Sequence, residues 1–367
     1  MKKSILFILS IILIISACQK SADNKTDVVL DSRGELLENV TNNIIIPAYE
    51  NLKSDIDNLS QSAIDFTNNP DPSTISLLRN AWLNAYVSWQ RVEMFSIGKA
   101  EEINYIKSMN TYPCNTTQIN NNLLSQSYDL NTSNFPSWTA QGFPALDYML
   151  YGLDSDSNMI LNYYTGNDSE KYLSYLNDLI AQMSSTTTLV IQDWQNNKTN
   201  FINSDGNTAT SSFNVLTNDF IYYYEKGFRA NKIGIPCGVW NGFQPYEIGI
   251  EAYYRKDISK HLALTSLSAC RDFFMGRGVN SEMLGVSYAD ILSENGESSL
   301  SSEIINAINE AELAINNLAS NFRLQLTQDQ NNMLVAYDEI QDVVALLKVK
   351  MLNSLDVTVD YQDSDGD

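Results

Sequence analysis

Between Leu36 and Phe66 the apolar residues fall at steps of three and four: Leu36, Leu37, Val40, Ile44, Ala48, Leu52, Ile56, Leu59, Ala63 and Phe66. That spacing puts them on one face of a helix but on both faces of any strand, so it commits the segment to a long amphipathic helix. Pro47 falls inside it, removes an N–H and crowds the preceding turn, which predicts a kink. "NNPDPST" then breaks the chain, with Ser73 or Thr74 available to cap the next helix. Leu77, Leu78, Ala81, Trp82, Ala85, Tyr86, Trp89 and Val92 repeat the stripe. The short connection predicts that this second helix packs antiparallel to the first.

The same period recurs from about Ser169 to Trp194, Ser211 to Ala230, Ser259 to Phe274, Ser301 to Phe322 and Asp329 to Leu355. After Gly98 the chain is rich in Asn, Thr and Ser and carries Pro113 and Pro136, which reads as loops and short helices. No run alternates with period two between hairpin turns, so the fold class is all-α. A length of 367 residues suits two domains. "YTGNDSE", around Gly166, offers the boundary, giving one helical bundle over 35–166 and a second over 167–356, packed side by side. The halves echo one another ("TYPC" and "GIPC", "QGFPALDYM" and "NGFQPYEIG"), an echo as compatible with chance as with duplication.

At the N-terminus, Lys2 and Lys3 precede a nearly charge-free apolar run, Ser4 to Ser16, that ends in "ISAC". The run is short for a membrane span and suits a secretory leader. With small residues immediately before Cys18, residues 1–18 read as a bacterial lipoprotein signal and Cys18 as the lipidated residue. Residues 19–34 then form a polar tether, and 357–367 an acidic tail. The expected location is the cell envelope, anchored through the N-terminal lipid, with Gln19 rather than Asp after the cysteine favouring the outer membrane.

The formal charge of −21 deepens to about −23 once Lys2 and Lys3 leave with the leader. Such a surface repels phosphate backbones, so nucleic acid is not an expected partner. Cys114, Cys237 and Cys270 are far apart, without a CxxC, and allow one disulfide whose pairing the spacing does not choose. The single histidine, His261, constrains chemistry most. Zinc sites in hydrolases draw on two or three imidazoles, which this chain lacks, and the plain reading of His261 is structural. "DSDGD" (Asp363, Asp365, Gly366, Asp367) opens like a calcium loop but ends before a bidentate Glu.

"QGFPALDYMLYG", Gln141 to Gly152, starts as a helix entrance, with Gly142 for the turn, Pro144 in the first turn and Asp147 near the positive end of the dipole. This stretch, with "NIIIPAYENL", "AWLNAYVSWQRVEMFSIG", "KIGIPCGVWNGFQPYEIGIEAYY" and the closing "YQDSDGD", resembles the imelysin-like proteins, also classed as peptidase family M75. The resemblance spans nearly all the mature chain. It implies two related four-helix bundles with a site where they meet, and relatives associated with iron regulation. The family motif GxHxxE falls on Gly142, Pro144 and Asp147, so proline stands in place of the histidine and a shorter carboxylate in place of the glutamate. Proline offers a metal no lone pair, and zinc-dependent proteolysis is not expected from this motif.

The residues expected to line the interdomain site are Arg91, Glu93, Gly142, Pro144, Asp147, Glu247 and Glu251. Arg91 and Glu93 follow the helix bearing Trp82 and Trp89. Glu247 and Glu251 are four apart, hence on one face of a helix after Pro245. Asp147, Glu93, Glu247 and Glu251 are oxygen ligands suited to a hard ion such as iron or calcium rather than zinc. The plainer reading is that such carboxylates complement helix dipoles or face water. Tyr222, Tyr223 and Tyr224 are consecutive, so a helix turns them to different faces and core packing is their ordinary role. No Walker loop, nucleotide fingerprint or GxSxG elbow is present. The function expected is that of a non-catalytic envelope lipoprotein that binds iron or a metal-bearing compound. The alternatives are a metallopeptidase and an interaction module working with an outer-membrane receptor.

Overall fold

The computed structural model describes residues 32–131, 135–156, 158–281 and 283–359. The expected leader with Cys18, the expected tether up to residue 31 and the expected tail from residue 360 lie outside the described residues.

A helix over Arg33–Asn39 passes through a π-helical turn, Val40–Ile45, into α1, Ile46–Asn68. Pro47 stands in the first turn of α1, and the turn before it is widened, with Ile46 N–H reaching back five residues to Thr41 O. Proline has no N–H for the Asn43 carbonyl four residues back. That carbonyl instead accepts Val279 N–H at 2.9 Å, so the missing helical bond becomes a long-range one.

α2 spans Pro72–Trp89. Its cap is Asp71 rather than Ser73 or Thr74, whose N–H groups both donate to Asp71 Oδ1, at 2.8 and 2.9 Å. The Thr74 hydroxyl returns the bond by accepting Asp71 N–H at 3.1 Å, and Pro72 occupies the first turn. The expected stripe is buried from Leu78 to Val92, whereas Leu77 is exposed. Short helices between residues 99 and 138 lead to α3, Gly142–Tyr151, and then α4, Ser169–Ile202. α1 packs against α2 and α4, and α3 packs against α2 and α4.

The second group is α5, Ser212–Tyr222, which runs into a π-helical segment Tyr223–Gly234, then α6, Ser259–Phe274, α7, Ser298–Asn316, and α8, Phe322–Ala345. α7 packs on α6 and α8, and the π-helical segment packs on α6 and α8. The helix expected to reach Phe322 stops at Asn316, because Asn321 caps α8 by accepting Arg323 and Leu324 N–H at 3.0 and 3.2 Å. The start expected at Asp329 coincides with a kink inside α8.

α4, which follows Gly166, packs with the first group, on α1 and α3. Gly166 closes a tight turn, its N–H on Asn162 O at 2.9 Å. From Ser32 onward the described residues form one compact unit. Among them, β structure is limited to an isolated bridge between Arg277 and Leu284, and no helix is long and apolar enough to cross a membrane. Cys114, Cys237 and Cys270 are free thiols.

Asn39 ties the loop after α6 to the first helix. Its Nδ2 donates to Gly276 O and Val286 O, both at 3.0 Å, and its Oδ1 accepts Asn43 Nδ2 at 2.8 Å. A Cβ on Gly285 would lie 2.2 Å from Asn39 Cγ, so the loop approaches as closely as glycine allows. Asn39→Ala strands the Val286 carbonyl, while Gly276 O keeps Gly285 N–H at 3.0 Å, and opens a gap. We expect a loss of about 2 kcal/mol, read as a lower urea midpoint with an unchanged slope.

Candidate functional site

Beyond Trp89, α2 unwinds into a tight turn in which Glu93 N–H donates to Trp89 O at 3.0 Å. The turn directs Gln90 and Glu93 inward, where both are buried, and sends Arg91 to another side. There they meet Lys232 from the π-helical segment and Glu251 from the turn before α6. Lys232 Nζ donates to Gln90 Oε1 at 2.7 Å and Glu251 Oε2 at 2.8 Å, and lies 3.1 Å from Glu93 Oε2. Asn110 Nδ2 donates to Glu93 Oε1 at 2.7 Å and Glu251 Oε1 at 2.9 Å, and its Oδ1 accepts Tyr86 OH at 2.7 Å. Gln90 Nε2 donates to Glu251 Oε1 at 3.1 Å, Ser266 Oγ to Gln90 Oε1 at 2.6 Å, and Tyr223 OH to Glu93 Oε2 at 3.1 Å.

Lys232 is 2% exposed. Burial alone would pull its ammonium down, but the Glu251 and Glu93 carboxylates outweigh it and hold the group above the ordinary lysine value. Two carboxylates and one ammonium leave the cluster with one net negative charge. Gln90, Glu93, Asn110 and Tyr86 come from the first helical group, and Lys232, Glu251, Tyr223 and Ser266 from the second. The network is therefore the polar joint between the groups.

A cavity of about 760 Å3 opens beside it. Glu93, Asn110 and Tyr223 form its inner wall, and Glu101, Lys107, Asp219, Tyr222, Lys226 and Asn231 lie further out. The π-helical segment shapes this wall. Gly227 faces Tyr223 so closely that a Cβ there would fall 2.5 Å from the ring, so glycine leaves room for Tyr223 to reach Glu93.

The structure brings together only some of the expected set. Glu93 and Glu251 converge, but upon Lys232. Asp147 is buried in the second turn of α3, because the helix starts at Gly142 itself. Both its oxygens are in use, accepting Tyr254 N–H at 2.8 Å and Arg255 N–H at 2.9 Å. It thus holds the turn after Glu251 rather than pointing out of a helix entrance. Gly142 has φ +71°, and a Cβ there would lie 2.2 Å from Met109 O, so only glycine fits. Pro144 and Asp147 line a separate cavity of about 190 Å3 with Cys114, Ile248, Ile250 and Tyr254. Tyr112 and Pro113 border both cavities. Burial pushes the Cys114 thiol up to about 12, so it stands there protonated.

Glu247 and Glu251 do not share a helix face. Glu247–Gly249 is a single 3-10 turn, Ile250 is extended and Ala252 has positive φ. Glu247 consequently faces solvent 3.6 Å from Arg323 Nε while Glu251 is buried. Arg91 lies 3.4 Å from Asp272 and lines a third cavity with Arg277. Tyr222 and Tyr223 reach the large cavity and Tyr224 is core, while His261 lies exposed at the surface. Among the described residues, no three His, Cys, Asp or Glu side chains gather as metal ligands. A metal does not fit the converging carboxylates as they stand, because an ammonium occupies the point at which they aim. The sequence reading missed Gln90, Asn110 and Lys232. The one signal it held was Lys232 itself, a charge in the otherwise uncharged run "KIGIPCGVW".

The family model of the imelysins (Peptidase M75) matches residues 45–349. The chain belongs to the imelysin family. Its fold is similar to that of an imelysin-like protein from Psychrobacter arcticum 273-4, at 18% identity and TM-score 0.71, covering 90% of this chain and 98% of that one. It is also similar to a protein named as an iron-regulated protein A precursor from Parabacteroides distasonis ATCC 8503, at 16% identity and TM-score 0.72, covering 88% and 94%. No curated protein matches the chain. In this imelysin Gly142 is thus structural, Pro144 has no ligand capacity and the Asp147 carboxyl is engaged by backbone.

Burial pushes the Asp147 carboxyl up to about 7, against the pull of its two N–H donors and Arg255. Between pH 4 and 7 the folded imelysin therefore holds a proton that the unfolded chain has released. Stability accordingly falls as pH rises through that window, by at most ~1.4 kcal/mol per pH unit from this group, and levels off above it. Asp147→Asn removes that component while losing one acceptor. Paired denaturation curves across the window should show the wild-type advantage shrinking with rising pH, and a constant difference would contradict the assignment.

Proposed function

We propose that this imelysin is a cell-envelope binding protein that takes up an iron-bearing or other metal-bearing compound in the large cavity, and that it is not a peptidase. The observation that carries the reading is the cavity itself. Its volume of about 760 Å3 lies in the range that receives small molecules and cofactors, and its inner wall is fixed by a fully hydrogen-bonded network rather than by mobile side chains. The fold shared with a protein named as iron-regulated supports iron as the metal concerned. The leader read at Cys18 supports a lipid-anchored location at the outer membrane, where a receptor is the natural partner.

The chemistry of the donors supports binding over cutting. Pro144 offers no lone pair, and both oxygens of Asp147 accept backbone N–H. A bare ion such as ferric iron or calcium would find no three-carboxylate set among the described residues. A compound that brings its own ligands to the metal needs none.

Calorimetric titration of the purified protein with haem, a ferric chelate, ferric iron and calcium tests this, with thermal unfolding in parallel. A metal compound should bind and raise Tm, and Asn231→Trp, which places an indole in the cavity from an exposed position, should weaken that binding by about tenfold or more. Absence of heat and of stabilisation with every compound contradicts the reading. Chelator-sensitive cleavage of unfolded protein that Asp147→Ala abolishes would establish the peptidase instead.

A further inference from the structure

Facing carboxylates in a buried polar pocket are a common beginning of a site for a hard cation. Glu93 and Glu251 stand in that relation, and Gln90 adds a third oxygen. All three aim at one point, which is held by Nζ of Lys232 at 3.1, 2.8 and 2.7 Å. An ammonium has three N–H donors, and here three oxygens meet them.

We propose that Lys232 is a resident cation: its ammonium takes the position between Glu93 and Glu251 that a divalent metal would otherwise hold, and makes this wall of the cavity independent of metal. The distances fit ammonium hydrogen bonds, whereas direct metal–oxygen bonds to hard ions run at about 2.0–2.6 Å. The outer oxygens of both carboxylates are held by Asn110, so the oxygen set keeps its shape around whatever cation sits at its centre. The ammonium also cannot withdraw without leaving two buried carboxylates facing each other uncompensated. A metal and Lys232 therefore exclude one another. This inference goes beyond the ligand reading and stands whether or not the cavity takes a metal compound.

Lys232→Ala in the otherwise unchanged protein tests it, by thermal unfolding with and without Mn2+. The variant should lose roughly 5–10 °C in Tm, and Mn2+ should restore most of that loss while shifting the wild-type protein far less. Lys232→Ala combined with Glu251→Gln, which removes one of the two carboxylates, should lose the Mn2+ rescue. A folded Lys232→Ala protein whose Tm responds to Mn2+ no more than wild type overturns the proposal. Should the variant fail to fold, wild-type crystals grown with Mn2+ decide. An anomalous peak within about 2.5 Å of Glu93 and Glu251 oxygens overturns the proposal, and a map with no peak there supports it.

Discussion

Placing an ammonium and two carboxylates out of water costs several kcal/mol per ion before any attraction is counted. The cluster around Lys232 persists because each desolvated donor and acceptor at its centre finds a partner, down to the two protons of Asn110 shared between Glu93 and Glu251. That condition is demanding in geometry. It requires the turn after α2, the short helix ending at Asn110, the π-helical segment and the turn before α6 to arrive together, and those elements come from both helical groups. A slip of one element would leave a charge unpaired, so the network fixes the register between the groups more sharply than apolar packing alone can. Burial of Trp82 and Phe143 against the Tyr86 ring supplies stabilisation without that selectivity.

The helices were legible because a buried stripe has to repeat with the helical period. α6 begins and ends where the pattern of Ser259 to Phe274 places it, and Pro47 marks the disturbed turn before α1. The boundaries that shifted did so through side chains acting as caps. Asp71 outcompetes Ser73 and Thr74 because its carboxylate reaches both of their N–H groups, and Asn321 starts α8 where periodicity alone would have continued α7. Gly166 marks a turn, and a turn says nothing about which neighbour the next helix will cover; α4 covers α1 and α3.

The site was half legible for a different reason. Acidic residues stand out in a sequence, and Glu93 and Glu251 do reach one another. Spacing, however, could not reveal that Glu251 leaves its expected helix through Ile250 and Ala252, or that Glu247 is thereby sent to solvent. Lys232 and Asn110 act only through residues far away in the chain, and a lysine among apolar residues looks like any surface lysine until its neighbours are placed. The same holds for Asp147. As a motif residue it suggested chemistry, whereas in the fold it anchors the backbone of the turn that delivers Glu251. Departure from the family motif and the presence of Lys232 are thus consistent with each other. Asp147 in that helix is engaged by backbone N–H groups, and the carboxylate pair is arranged around the Lys232 ammonium.

The central claim is that a charged lysine is the cation at this joint, and the charge state of Lys232 tests it most directly. Side-chain 15N NMR of the protein, with the Lys232 signal assigned by its loss in Lys232→Arg, can follow that nitrogen across pH. The account predicts an exchange-protected ammonium that stays charged beyond the ordinary lysine value of 10.5. A neutral amine near pH 7, or an ammonium exchanging as freely as those at the surface, would contradict it.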